Sequence, residues 1–240
     1  MILDAATKSS WHGPFTRLAG VFPDKVEMSI CDPRDDHPAP FPSEACAVSR
    51  ATEGRQREFA AGRAAIHGAM RALGTTPEPV PAGPDRAPRW PEGLTGSLSH
   101  CDIACVAAVA RTRDMRSIGV DVEPDAPLAS DLIPEIASLA ERAWLSAQSD
   151  AWRGRLARLI FSAKECAYKC QYQVSGTIIG FDAFDVTPDP DSGQFEATLV
   201  TAVPGFSAGH RFHGRFVIEG GLIVTASTLP QGPSWRMGSA

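Results

Sequence analysis

The chain has 240 residues, 23 basic against 28 acidic side chains (net charge −5), 43% hydrophobic and 21% charged residues, which excludes a disordered chain and a basic fold built to wrap nucleic acid. The longest unbroken apolar run, residues 103–110, is far short of the ~20 residues that span a bilayer. The start carries no basic stretch followed by an apolar run, so a cytoplasmic protein is expected, with its six cysteines as reduced thiols.

Residues 1–41 are Pro-rich, with one strand expected at Val26–Ile30. A helical run starts near Ser43, and its main part spans Glu53 to Leu73, where Phe59, Ile66, Met70 and Leu73 recur at helical spacing. Gly74 is the natural stop. Pro77 to Pro91 reads as a loop carrying Arg86, Arg89 and Trp90. Strands are expected at Thr95–Ser99, Ile103–Ala110 and Ile118–Glu123, closed by Pro124 and Pro127. A helix over Asp131–Leu145 follows, with Pro134 in its first turn or splitting off a short piece. A stronger helix runs from Trp152 to Gln173, with Leu156, Leu159, Ile160, Ala163, Cys166, Ala167 and Cys170 on its apolar stripe. The tail reads as four strands, Asp182–Val186, Phe195–Thr201, Arg211–Ile218 and Leu222–Ser227, the last two joined at Gly220–Gly221. The order suggests an α+β protein of two halves joined near Ser117.

Basic charge is concentrated. Residues 50–116 carry ten Arg and seven acids, whereas 117–170 carry six bases and eight acids. A locally basic stretch in an acidic chain suits a small anion, or simply a solvated arginine-bearing helix.

Three short stretches carry chemistry. In Gly119-Val120-Asp121-Val122-Glu123, strand alternation puts both carboxylates on one face and both valines on the other. Such a pair suits a phosphate-bound Mg²⁺, or is the wet side of an amphipathic strand. In Phe161-Ser162-Ala163-Lys164-Glu165-Cys166-Ala167-Tyr168-Lys169, Glu165 and Lys169 are helical neighbours, a pairing that is often only a surface ion pair. In Gly96-Ser97-Leu98-Ser99-His100, hydroxyls and an imidazole gather at a strand end where they can bind phosphate oxygens. No Gly-x-Ser-x-Gly elbow accompanies them, which argues against a serine nucleophile. Cys101/Cys105 and Cys166/Cys170 have metal-ligand spacing, but three of these four fall on apolar elements and read as buried thiols rather than zinc ligands.

Taken in order, these blocks, with Gly62-Arg63-Ala64-Ala65, Trp90-Pro91 and the closing Gly221-Leu222-Ile223-Val224-Thr225-Ala226, resemble the 4′-phosphopantetheinyl transferase superfamily, in its larger surfactin- and enterobactin-type branch. The chain departs from that pattern at Phe161, where members often have Trp, and at His67, where many enterobactin-type members have a further Arg.

The resemblance implies two similar α/β halves packed side by side: residues 1–116 gripping the nucleotide of coenzyme A, and 117–240 carrying the metal and the catalytic helix. It implies transfer of the phosphopantetheine arm of coenzyme A to a serine of an acyl or peptidyl carrier protein by a Mg²⁺- or Mn²⁺-dependent monomer, with release of 3′,5′-ADP. Asp121, Glu123 and Glu165 would ligate the metal, with Glu165 the base, directly or through water. Lys169 would stabilise the departing phosphate, with Lys164 nearby. Ser99 and His100 would bind a phosphate oxygen, Arg55 and Arg63 the 3′-phosphate, and Arg86 the nucleotide side. Arg153 and Arg158 are expected at the surface, as part of a carrier-docking strip over 131–173. A metal-dependent phosphohydrolase using the same carboxylates, and a non-catalytic coenzyme A or carrier-binding module, are the alternatives.

Overall fold

A computed structural model of the chain describes residues 17–232. Residues 1–16 and 233–240 lie outside that range. In chain order the elements are β1 (Val26–Cys31), α1 (Pro42–Ala45), α2 (Glu53–Ala72), β2 (Leu94–Cys101), β3 (Ala104–Arg111), β4 (Met115–Pro124), α3 (Ile133–Ile136), α4 (Leu139–Ser146), α5 (Asp150–Ser175), β5 (Phe184–Asp189), β6 (Gln194–Leu199), β7 (Arg211–Glu219) and β8 (Leu222–Pro230). They form two antiparallel sheets, β1-β3-β2 and β4-β8-β7-β6-β5, each covered by one long helix. The α+β expectation holds, with the halves unequal in strand number.

Strand alternation builds the layers. Cys105, Ala107 and Val109 of β3 pack with Ala61, Ala65, Ile66 and Met70 of α2. The intervening Ala104, Val106, Ala108 and Ala110 face Ile118, Val120 and Val122 of β4 and Val224 of β8. On the far side of the second sheet, Leu156, Ile160, Ala163 and Ala167 of α5 meet Val186, Ala197, Phe212 and Ile223. Val120 and Val122 thus face the inter-sheet core. Gly119, Asp121 and Glu123 are left on the α5 face.

The expected helix over 131–145 is two helices. Pro134 sits in the first turn of α3, Ala137 is extended, and Ser138 restarts the chain by accepting a hydrogen bond from the Glu141 amide while Glu141 accepts from the Ser138 amide. Asp182 belongs to a short 3₁₀ turn rather than to β5. All six cysteines are free, and Cys105, Cys166 and Cys170 are buried. Among the described residues no helix is long and apolar enough to cross a membrane.

Gly119 sets the distance between α5 and β4. A Cβ there would come within 2.0 Å of the Cys166 carbonyl oxygen and 3.0 Å of the Cys170 Cβ. Backbone cannot yield as a side chain can, so Gly119→Ala is expected to destabilise the protein by about 1–3 kcal/mol in urea unfolding. An unchanged midpoint and slope would contradict this packing.

Candidate active site

The two halves are stitched along the β2–β4 seam. Ser97 Oγ accepts from the Val120 amide at 3.1 Å, and Ser99 Oγ donates to Asp121 Oδ1 at 2.8 Å. Thr95 donates to Gln173 of α5 at 2.9 Å, and Gln173 donates to the Ile118 carbonyl. The Tyr172 hydroxyl donates to Asp85 at 2.6 Å, tying the Arg86 loop to α5. Arg86 itself holds a positive φ of 66° at the exposed tip of that loop.

Asp121 is the centre of the seam. It is 3% exposed. Its Oδ1 accepts from Ser99 and from Lys169 Nζ at 2.7 Å, while its Oδ2 is buried with no hydrogen-bond partner. Burial lowers the Lys169 ammonium, but the Asp121 charge, its hydrogen bond and Glu165 outweigh this and hold the pKa above the usual lysine value.

Glu165 lies one turn before Lys169 on α5. Burial raises its carboxyl above the usual range, Lys169 opposes this and Asp121 adds to it. Glu123 is raised by burial first and by Asp121 second, against Arg158. The three sequence-predicted carboxylates therefore share one electrostatic neighbourhood. They do not stand as a closed chelate. Among the described residues no three His, Cys, Asp or Glu are gathered to hold an ion; Lys169 occupies Asp121 Oδ1, and Arg158 holds Glu123 Oε2 at 2.6 Å. The donor set nevertheless fits a divalent cation. A buried carboxylate oxygen left without a partner is costly, and two neighbouring acids whose charged forms are disfavoured gain from added positive charge.

On the nucleotide side, His100 at the end of β2 contacts Glu58 of α2 through Nδ1, and its Nε2 is 3.4 Å from Arg55 Nη1. Glu58 also pairs with Arg55 at 2.6 Å. Burial holds the His100 pKa below its usual value, against the pull of Glu58. Arg63 lies 4% exposed, over the Phe59 ring at 4.4 Å, with Nε and Nη1 lacking any hydrogen-bond partner. A buried guanidinium with unpaired donors is costly.

Two expectations are corrected. Lys164 does not face this site. It is 1% exposed, paired with Glu141 Oε2 at 2.8 Å, and it donates to the carbonyls of Ile136 and Phe181, each at 2.9 Å. One residue from Glu165, it points about 100° away around the helix, towards α3 and α4. Arg158 is not a freely solvated surface residue, whereas Arg153 stays partly exposed, paired with Asp150 at 2.7 Å. Arg153 donates to the Leu145 and Gln148 carbonyls behind α4. Arg158 holds the Ala126 and Pro127 carbonyls together with Glu123. The docking strip expected over 131–173 loses Arg158 to these internal partners and keeps Arg153 at the surface.

Glu58 and Glu44 were not singled out by sequence. Glu58 had a visible signal, its i,i+3 relation to Arg55. Glu44 had only its place at the third position of a one-turn helix, where it accepts from the Phe41 amide at 2.9 Å. A cavity of about 890 Å³ beside Trp152, Leu156 and Phe216 is lined by none of the sequence-predicted site residues.

The description "4′-phosphopantetheinyl transferase N-terminal domain" fits residues 43–110, and "4′-phosphopantetheinyl transferase superfamily" fits residues 117–218. The chain is 40% identical over 195 residues to 4′-phosphopantetheinyl transferase Svp of Streptomyces mobaraensis, covering 78% of this chain and 77% of that one. The chain belongs to the 4′-phosphopantetheinyl transferase superfamily. Over 227 residues, 89% of this chain and 98% of the relative, it is 31% identical to 4′-phosphopantetheinyl transferase PptT of Mycobacterium tuberculosis. To enterobactin synthase component D of Salmonella typhi it is 38% identical over 173 residues, 71% of this chain and 70% of the relative. The protein is thus an enzyme that transfers phosphopantetheine to carrier proteins, and the family draws that group from coenzyme A.

Proposed function

We propose that the protein moves the 4′-phosphopantetheine arm of coenzyme A to a serine of an acyl or peptidyl carrier protein, with release of 3′,5′-ADP, and that it requires Mg²⁺. The carrying observation is Asp121: a buried carboxylate with one orphaned oxygen, beside Lys169 and two acids that resist ionisation.

Asp121, Glu123 and Glu165 are the residues that would hold the ion, with Mn²⁺ as the alternative. When bound, a divalent cation withdraws charge from pyrophosphate oxygens that otherwise repel the incoming serine oxygen. Glu165 takes the proton of the carrier serine, by contact or through one water. Its raised pKa makes it a stronger base than a free carboxylate. Lys169 places a compact positive charge beside Asp121, where negative charge grows on the departing phosphate. His100 and Ser99, at the end of β2, supply hydrogen bonds to phosphate oxygens. Arg55, Arg63 and Arg86 hold the nucleotide phosphates.

Residues 1–116 would then grip the nucleotide, and residues 117–240 would supply the carboxylates and the catalytic helix. The reaction would run at the seam between them, within one chain, so that a monomer suffices.

The test is chromatography of coenzyme A incubated with enzyme and Mg²⁺, with and without an apo carrier protein. The proposal expects 3′,5′-ADP only with the carrier. Release without it would favour a phosphohydrolase.

A further inference from the structure

Arg63 and Glu44 form an unusual pair. Glu44 is fully buried. Its Oε2 accepts from the Phe41 amide at 2.9 Å. Its Oε1 accepts from the Val80 amide at 2.8 Å and lies 3.2 Å from His67 Nε2. Those contacts tie α1, the loop after α2, and α2 itself to one carboxylate. Its Oε1 is also 3.9 Å from Arg63 Nε, close enough for charge to act and too far for a hydrogen bond. Arg63 therefore has a buried counter-charge that leaves its Nε and Nη1 donors without a partner.

The alternatives would serve an anion less well. A forked Arg–carboxylate pair would occupy the donors that a phosphate needs. With no carboxylate nearby, an arginine this deeply buried would lack compensation for lost hydration. The Phe59 ring lies 4.4 Å from the guanidinium carbon and gives it a cation–π contact. The carboxylate cannot drift towards Arg63, since main-chain amides from two separate segments hold it.

We propose that Glu44 is a positioning residue that keeps Arg63 buried, charged and with its donors available for the 3′-phosphate monoester of coenzyme A. It thereby sets the enzyme's preference for coenzyme A over 3′-dephospho-coenzyme A. The proposal rests on the reading of Arg63 as the 3′-phosphate grip.

The test measures kcat and KM with both donors for the wild type, Arg63→Gln and Glu44→Gln. Glu44→Gln is expected to raise KM for coenzyme A by about tenfold or more, the loss of roughly one charged hydrogen bond. KM for the dephospho donor, and kcat with either, should stay within about twofold. A rise in KM for both donors alike would show a merely structural role and overturn the proposal, as would no change. If Arg63→Gln itself leaves the donor ratio intact, the grip reading fails. If Arg63→Gln collapses the ratio and Glu44→Gln does not, only the role of Glu44 fails. Should Glu44→Gln not fold, Glu44→Asp takes its place. That variant keeps the charge but draws it back from Arg63, and it should lose part of the ratio. A full ratio in Glu44→Asp would then overturn the proposal.

Discussion

Glu165→Gln is expected to lower transfer by about 10²–10⁴-fold and to leave the melting temperature unchanged or raised, because the proposed base is a group the fold would prefer uncharged. Burial lifts the Glu165 carboxyl above the usual range, helped by Asp121 and opposed by Lys169. A carboxyl raised in this way contributes stability below its ordinary pKa and loses it as pH rises through the raised one. At neutral pH its ionisation is therefore a net cost to the folded state, which the isosteric amide removes. The amide can neither accept the serine proton nor offer full charge to a cation. Turnover by single-turnover kinetics and stability by a thermal melt should diverge. Full transfer in Glu165→Gln would remove Glu165 from the base role. Loss of transfer together with loss of fold would make the residue structural.

Lys164→Met has the opposite signature. Its ammonium is enclosed by Glu141 and two carbonyl oxygens. Glu141 also accepts from the Ser138 and Val186 amides. Removing the cation leaves a buried carboxylate without its counter-charge, and the expected loss is about 3–5 kcal/mol in urea unfolding. Adding Glu141→Gln should recover part of that loss, since the uncompensated charge goes with it. KM for coenzyme A in the surviving folded fraction should be close to wild type. A stable Lys164→Met enzyme with weakened coenzyme A binding would instead return Lys164 to the phosphate site.

The contrast between these two adjacent residues shows what was readable in the sequence. Alternation in residues 119–123 separated Val120 and Val122 from Asp121 and Glu123 without any tertiary information, because a strand has only two faces. Helical spacing likewise placed Glu165 with Lys169 and assigned the apolar stripe of α5. Which way Lys164 points was not readable. Its partners come from α3, α4 and the 3₁₀ turn at Phe181–Ala183, and no local pattern says that these pack beside α5. Arg158 was misread for the same reason: its three partners are separated from it by 31 to 35 residues. The break between α3 and α4 was half visible at Pro134. The decisive feature, a capping box at Ser138 and Glu141, lies inside the stretch read as one helix, with Pro134 in its first turn or splitting off a short piece. Glu44 was hidden because a buried acid shows no signature until its amide donors are brought to it by the fold.

The central claim is that one seam, with Asp121 at its core, performs group transfer to a carrier serine. The most direct measurement is the intact mass of an apo carrier protein after incubation with coenzyme A, Mg²⁺ and either wild-type enzyme or Asp121→Asn. The account predicts a gain of one phosphopantetheine arm with the wild type and no detectable gain with Asp121→Asn under the same conditions. An unmodified carrier with folded wild-type enzyme across several acyl and peptidyl carriers, or full modification by Asp121→Asn, would contradict it.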